Sequence, residues 1–178
     1  QVWMTKNMAY LPSVVGPGTG SNSTAYYYVY GYDGTDVATA KATSNYTTYG
    51  VLYNWPAAQS ACPSGWHLPS DAEWTTFTDD LGGASVAGGK LKEAGTAHWN
   101  SPNIGATNSS GFTALPGGYR NGDGVFNDIG IHGPWWSSTG NNTDRAWNGS
   151  LDNYSSGVYR SSTDKENGFS VRCLRDSD

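Results

Sequence analysis

The sequence predicts one α+β domain over residues 1–178, in which short helices flank small, twisted antiparallel sheets. The order of the local patterns is the first reason: an aromatic strand segment precedes two helix patterns, and several short strands follow. Composition is the second, because 24 glycines and only 14% charged residues favour a loop-rich domain over a helical bundle. We find neither an internal repeat nor a linker that divides the chain.

The first fifty residues predict strands joined by a loop. VWMTKNMAY begins as an opening strand, and the Gly, Pro and Ser content of SVVGPGTGSNSTA indicates a loop. The segment Tyr26 to Tyr32, YYYVYGY, is a strong strand pattern because aromatic and β-branched residues fit a pleated surface. This strand either lies inside a sheet or forms an edge through which a second copy associates. The second alternative predicts self-association through Tyr26 to Tyr32.

Two short helices follow, each with its own start signal. Asn54 is the predicted N-cap of a helix over residues 55–61, with a proline in the tolerated first turn. Ser70 and Glu73 form the capping-box pattern of the second helix, in which Trp74, Phe77 and Leu81 share one face. A third helical piece over residues 86–94 is weaker, because two adjacent glycines interrupt it. From residue 111 onward, short strands alternate with Gly-, Asn- and Ser-rich turns.

Charge and hydropathy exclude two classes of partner. The chain has 10 Lys and Arg residues, a net charge of −5 and no basic run, so we expect no nucleic-acid partner. No apolar stretch approaches the roughly 18–20 residues that cross a membrane. Gln1 leads directly into VWMTKN without a signal-peptide pattern, so we expect a processed, mature chain, although a cytosolic protein would begin in the same way. Low Lys content with abundant Asn, Ser, Thr and Gly favours an extracellular or cell-surface location.

The two cysteines, Cys62 and Cys173, lie far apart in the sequence. One long-range disulfide that closes a compact extracellular domain is the favoured hypothesis. The alternative is a pair of free, buried cysteines in a cytosolic protein. A structural zinc site needs more ligands than two cysteines supply, and no resolving cysteine lies nearby for a redox role.

A catalytic site is not indicated by any motif. His67, His98 and His132 show no metal-ligand spacing, and we expect His67 to serve packing beside a helix cap. The carboxylates of the second half give no distinguished pair, namely Asp123, Asp128, Asp144 and Asp152. A close, partly buried carboxylate pair in one cleft would favour a polysaccharide-acting enzyme.

Calcium is a further hypothesis for the loop RNGDGVFNDIG. Asn121, Asp123, Asn127 and Asp128 supply the oxygen-bearing side chains that a hard cation prefers. The loop lacks the full spacing and the final Glu of an EF-hand, and Asn, Asp and Gly are also ordinary turn residues. We therefore expect no cofactor and keep calcium as the alternative.

The best candidate for a binding surface is the segment from residue 140 to 167. It combines aromatic platforms with planar polar groups, which suits carbohydrate stacking or protein recognition. The predicted ligand-binding residues are Trp147, Asn148, Asp152, Tyr154, Tyr159 and Arg160. The alternative is that these aromatic residues belong to the core and the polar residues fill turns. Of Trp135 and Trp136, just before this segment, we expect at least one to be in the core.

Five ordered segments carry a family resemblance: YGVLYNWPAA, CPSGWHLPSDAEW, GFTALPGGYR, WWSST and NGFSVRCLRD. Together they resemble the Fibrobacter succinogenes major paralogous domain, which occurs in exported and surface proteins of Bacteroidetes, Fibrobacter and relatives. The resemblance implies a fold related to C-type lectins and to formylglycine-generating enzymes, with paired first and last strands. It also implies a bridge between Cys62 and Cys173, and a ligand-facing surface between the WWSST and GFSVR segments.

The function implied by this resemblance is binding or adhesion. The oxidase chemistry of the formylglycine-generating enzymes needs two active-site cysteines, and a disulfide would use both cysteines of this chain. The leading hypothesis is therefore a non-enzymatic extracellular module that binds a surface glycan or a protein. A structural subunit of a surface filament is the second hypothesis, and a polysaccharide-acting enzyme is the third.

Overall fold

The computed structural model describes residues 1–176 as a mixed α+β arrangement of five short helices and nine short strands. The helices are α1 (Val37–Lys41), α2 (Ser44–Tyr49), α3 (Trp55–Ala58), α4 (Asp71–Asp80) and α5 (Ala84–Leu91). The strands are β1 (Tyr27–Tyr28), β2 (Leu52–Tyr53), β3 (Trp66–His67), β4 (Gly117–Arg120), β5 (Phe126–Ile129), β6 (His132–Gly140), β7 (Arg145–Asp152), β8 (Tyr159–Asp164) and β9 (Leu174–Arg175). All sheets that they form are small and antiparallel.

Both predicted helix starts are confirmed. The Asn54 side chain accepts a hydrogen bond from the backbone N–H of Ala57, and α3 is shorter than predicted. Ser70 and Glu73 form the complete capping box of α4, each side chain bonding the other residue's backbone N–H. These local hydrogen bonds satisfy the free N–H groups of the first turn, which explains why the sequence signal was reliable.

Helices α1 and α2 were not predicted. Their N-caps are Asp36 and Thr43, whose side chains accept hydrogen bonds from backbone N–H groups three residues later. Each helix has six residues or fewer and no acidic residue in its first turn. Helices this short have little periodicity, so only their caps distinguish them from loop sequence.

The third of the predicted helices corresponds to α5, which contains the two adjacent glycines that weakened the prediction. A Cβ atom at Gly88 would lie 2.1 Å from the carbonyl oxygen of Gly157, and one at Gly89 would lie 2.4 Å from that of Gly105. The two glycines therefore allow two loops to pack directly on the helix backbone. Glycine destabilises a helix interior relative to alanine, and the close packing of the two loops offsets this cost.

The main sheet has the strand order β6-β7-β8 and separates two cores. Trp136 and Ala146 face one core together with Phe169, while Trp135 and Leu151 face the other core, against α4. Successive residues of a strand point to opposite faces, which sends the two adjacent tryptophans to opposite sides. Both tryptophans are buried, as expected of at least one of them.

The two ends of the described chain lie side by side. Trp3 forms an antiparallel bridge with Leu174, and the N–H of Met4 donates to the carbonyl of Cys173. The predicted opening strand is thus reduced to a bridge and a few hydrogen bonds. The disulfide between Cys62 and Cys173 is confirmed, with 111 residues of separation, and no cysteine is free in the described chain.

The Tyr-rich segment forms a much shorter strand than predicted. Only Tyr27 and Tyr28 are extended, and they pair with β2. Tyr28 and Val29 are fully buried, and the N–H of Val15 donates to the carbonyl of Tyr27 from the other side. These contacts favour the internal alternative. Self-association through Tyr26 to Tyr32 stays a prediction.

Buried cations hold the long loops together. Four of the ten Lys and Arg side chains are buried, and their partners are mainly backbone carbonyls. The four are Lys92, Arg120, Lys165 and Arg172. The Lys92 ammonium donates to the carbonyls of Ile104, Asp152 and Ser155 at 2.8–3.0 Å. Loop carbonyls that lack a strand partner are satisfied in this way, because a buried unpaired carbonyl is costly.

Burial acts on the titration of two of these cations. It lowers the pKa of Lys92 to about 8 and that of Arg172 to about 9. Arg172 donates to the Asn7 side chain and to the carbonyls of Met4 and Phe112, with its guanidinium 4.1 Å from the Phe112 ring. This cation therefore ties the N-terminal segment to the loop before β4. None of the described helices combines the length and apolar character needed to cross a bilayer.

Candidate functional site

An open cleft of about 560 Å³ lies against the main sheet, beside the β4–β5 hairpin. Three aromatic side chains line it, from Tyr119, Tyr154 and Phe169. Two carboxylates, Asp128 and Asp152, and the imidazole of His132 share the same cleft. Small polar residues of β7 and β8, together with Ile131 and Asn167, complete the lining. Aromatic rings beside convergent polar groups are typical of a small-ligand site.

The strand register brings these side chains together. His132 pairs with Asp152 and Pro134 pairs with Ser150 across the β6–β7 ladder. Directly paired residues of an antiparallel sheet share one face, so His132, Ser150 and Asp152 point into the same space. Asp128 approaches from β5, where its backbone has a φ of 60°. A left-handed φ is tolerated by Asp, and it turns the chain from β5 toward β6.

Burial governs the electrostatics of the cleft floor. It lowers the pKa of His132, although Asp128 and Asp152 act in the opposite direction. Burial likewise raises the pKa of Tyr119, and the Asp128 carboxylate raises it further. The imidazole and the Tyr119 ring pack edge to face, 5.9 Å apart. The lowered pKa of His132 makes its imidazole neutral at neutral pH.

Several polar groups of the cleft have unused hydrogen-bonding capacity. Ser150 is only 5% exposed, yet within residues 1–176 its hydroxyl has no hydrogen-bond partner and is not sealed from solvent. The side chains of His132 and Asn167 are also without such partners in the described chain. Asn148 is different, because its amide bonds the carbonyl of Ser161 and the hydroxyl of Thr163. Ser150 is buried, whereas His132 and Asn167 are half-buried. A buried hydroxyl is normally hydrogen-bonded, so that of Ser150 at the cleft wall indicates a place for a ligand.

The structure divides the six predicted binding residues between two faces of the sheet. Asn148, Asp152 and Tyr154 line the cleft, and Tyr154 is 66% exposed. Trp147 and Arg160 lie on the opposite face beside α4. The six residues therefore do not form one continuous surface.

Arg160 and Trp147 are engaged with the fold itself. The Arg160 guanidinium donates two hydrogen bonds of 2.6 Å to the Asp71 carboxylate. These bonds raise the pKa of Arg160. The same group stacks on the Trp147 ring, 3.6 Å from its centroid. Tyr159 pairs with Ser150 and is exposed, but it does not line the cleft.

The four calcium candidates have separate roles in and beyond the β4–β5 turn. Asn121 accepts a hydrogen bond from the N–H of Val125, and Asn127 donates to the Val125 carbonyl. Asp128 belongs to the cleft, whereas Asp123 lies in the turn between the two strands. Across residues 1–176, no three His, Cys, Asp or Glu side chains come together as a metal-binding group. The Asn residues act here as turn residues.

Sequence reasoning missed several residues of the cleft, namely Tyr119, His132, Ser150, Asn167 and Phe169. His132 was considered only for metal-ligand spacing, and it shows none. Its proximity to Asp152 depends on the register of a hairpin between residues 20 positions apart. No local signal in the sequence specifies that register.

A second cleft, of about 500 Å³, lies between the N-terminal segment and α2. Its polar side chains are largely bonded to each other or to the backbone. His98 bonds the Glu93 carboxylate at 2.9 Å, and the Tyr46 hydroxyl donates to the carbonyl of Ala9. This cleft therefore offers a ligand fewer unused groups than the one beside His132.

His67 has a structural role, as predicted, but through charge as well as packing. Its Nδ1 lies 2.6 Å from the Asp176 carboxylate and its Nε2 lies 2.9 Å from that of Glu73. The hydrogen bond with Asp176 is the main reason that the pKa of His67 is raised, with burial opposing it and Glu73 adding to it. The histidine thus joins β3 to α4 and to the end of the described chain.

We expect a pH-dependent stability difference between the wild-type protein and His67→Gln. Because the folded pKa of His67 lies above its unfolded value near 6.5, its stabilisation is complete below that value and is lost as pH rises through the folded pKa. The side chain is 38% exposed, so solvent limits the effect to about 1 kcal/mol or less. Urea unfolding at acidic and alkaline pH measures it. A difference that grows with pH would contradict this assignment.

Comparison with known proteins places the chain in a family. The model of the Fibrobacter succinogenes major domain matches residues 1–175. The chain belongs to this family. No curated protein and no solved structure shows detectable similarity.

In this Fibrobacter succinogenes major domain, the segments that carried the resemblance build the core. Trp135, Trp136, Val171 and Cys173 are buried, and so is Arg172. These residues specify packing, the disulfide and loop attachment. The family pattern therefore accounts for the fold and leaves the ligand open. The confirmed disulfide is typical of proteins that fold outside the reducing cytoplasm.

Proposed function

We propose that this domain is an extracellular or cell-surface module that binds a ligand in the cleft beside His132, without catalysis. The observation that carries the proposal is the combination of aromatic rings with unused polar groups at one cleft wall. Ring faces stack on the apolar faces of a sugar or on a peptide side chain, and the polar groups fix orientation. The predicted residues Asn148, Asp152 and Tyr154 belong to this contact surface.

A C-type-lectin-like fold is part of the same proposal. Terminal segments that run side by side, a three-stranded antiparallel sheet and the long loop between α5 and β4 support it. Lys92 and the disulfide hold loops in place before a ligand binds. Binding therefore costs less conformational entropy than it would with mobile loops. In such a fold the cleft is a largely preformed site.

A glycan array and a screen of surface proteins from the same cell envelope test the proposal, each with wild type and two variants. Tyr154→Ala removes an exposed ring of the cleft, and Tyr10→Ala removes an exposed ring outside it. We expect Tyr154→Ala to weaken binding about five- to tenfold, the usual contribution of one aromatic contact. We expect Tyr10→Ala to bind like wild type. Equal binding by all three proteins would refute the cleft as the site.

The shared position of Asp128 and Asp152 favours a polysaccharide-acting enzyme as the second candidate. Two carboxylates that face one cleft are the minimum for glycoside hydrolysis. Release of reducing ends from any bound glycan, lost in Asp128→Asn and Asp152→Asn, would establish that candidate and replace the non-catalytic proposal.

A further inference from the structure

We infer that the ligand group accepted by the cleft is a sugar unit with a free, protonated amine. This inference rests on the proposed binding function and adds the chemical class of the ligand. It starts from the charges that line the cleft. Asp128 and Asp152 are acidic, and none of the lining side chains is Lys or Arg. Within the described chain, Asp128 has no ion-pair partner.

The buried Lys92 behind the cleft reduces the negative charge of the two carboxylates without cancelling it. The Lys92 ammonium bonds the backbone carbonyl of Asp152 and interacts with its carboxylate. Lys92 has no exposed surface, so it cannot move into the cleft to neutralise Asp128. Asp128, at the rim and exposed, is therefore the principal uncompensated charge.

The aromatic residues reinforce the preference for a cation. The exposed Tyr154 ring and the half-buried Tyr119 ring line the same space as the two carboxylates, whereas Phe169 is stacked on Trp136 in the core behind them. Ring faces attract ammonium groups and repel anions. The carboxylate of an acidic sugar would be repelled by the two Asp carboxylates and by the ring faces. A protonated amine would be attracted to both.

The unused polar groups favour a sugar over a lysine side chain as the source of the amine. Ser150, His132 and Asn167 have free donors and acceptors at the cleft wall. The hydroxyl groups of a sugar ring would satisfy them. A lysine side chain carries only methylene groups behind its ammonium, and it would leave the buried Ser150 hydroxyl unpaired at a cost in affinity.

Nuclear magnetic resonance titration of the isotope-labelled domain with matched probes tests the inference at about pH 6.5, where an amine is protonated. The probes are glucosamine, glucose, N-acetylglucosamine and glucuronate, with Nα-acetyl-lysine methylamide as the non-sugar amine. We expect glucosamine to perturb cleft resonances with an affinity about two- to fivefold above the neutral sugars. Glucuronate should bind most weakly, and the preference should shrink at high salt.

Two matched variants locate the charge. Asp128→Asn should weaken glucosamine binding about two- to fivefold and bring its affinity close to that of glucose for the same variant. Asp123→Asn makes the same charge change on the same hairpin, outside the cleft, and should leave both unchanged. Equal binding of glucose and glucosamine at the cleft would overturn the charge inference and leave the binding proposal standing. Tighter binding of the lysine derivative would overturn the sugar assignment. No cleft perturbation by any probe would overturn the inference, and the glycan and protein screens would then decide the binding proposal separately.

Discussion

Cys173→Ser is expected to lower the free energy of unfolding by about 2–5 kcal/mol. The bridge to Cys62 spans 111 residues, and loops of that size lose the most entropy when the unfolded chain is cross-linked. Cys173 is also fully buried, in the segment that pairs with the N-terminal residues. Loss of the bridge therefore acts on the unfolded state and on the contact between the two ends. Urea unfolding of both proteins measures the difference.

Reduction of the wild-type protein provides the control for this substitution. A reductant should shift the wild-type transition toward that of Cys173→Ser and leave the variant unchanged, because the variant has no bridge to lose. The double variant Cys62→Ser, Cys173→Ser should match the single one within about 1 kcal/mol. Two titratable thiols in the denatured, unreduced wild-type protein would contradict the bridge.

Lys92→Met is expected to cost about 3 kcal/mol or more. Methionine approximates the length of the side chain but leaves the carbonyls of Ile104, Asp152 and Ser155 without their shared donor. Each buried carbonyl left unpaired costs about 1–3 kcal/mol, and removal of the buried charge offsets part of the sum. Urea unfolding measures the loss, and amide hydrogen exchange should show weakened protection in the loops before β4 and after β7.

Lys90→Met is the matched control on the same helix. Its ammonium donates to one carbonyl, that of Leu81, at 2.7 Å. We expect a loss of about 1 kcal/mol, typical of one hydrogen bond. Similar losses in both variants would show that the three-carbonyl arrangement of Lys92 has no special contribution. Because Asp152 is one of its partners, Lys92→Met should also disturb the cleft.

Local signals explain which parts of the fold were predictable. Asn54 and Ser70 bond N–H groups three residues away, so the whole interaction lies within one short stretch of sequence. The glycines of α5 show the opposite case. Gly88 reads as a helix breaker, yet its role is to admit the backbone of Gly157, 69 positions later. Contacts at that distance leave no pattern in the local sequence.

The candidate site divides in the same way. Asp152 and Tyr154 were predicted because their own segment combines aromatic with planar polar residues. Trp147 and Arg160 come from that segment too, but the two-residue period of β7 and the pairing with β8 send them to the other face. By sequence, Asp128 is only an alternative calcium candidate and one of several carboxylates without a distinguished pair. Only the β4–β5 hairpin shows that it belongs with His132.

The sequence by itself determined the α+β class, the two capped helices, the family and the cysteine pair. Each of these depends on residue types at short spacing or on their order along the chain. The tertiary structure alone decided the cleft beside His132 and the three carbonyl partners of Lys92. It also decided that the side chains of Trp147 and Asn148 lie on opposite faces of the sheet. Those depend on strand register and on loop packing, which bring together groups that are distant in sequence. The physical reason is that a hydrogen bond or a charge acts through space, and only the folded chain sets that distance.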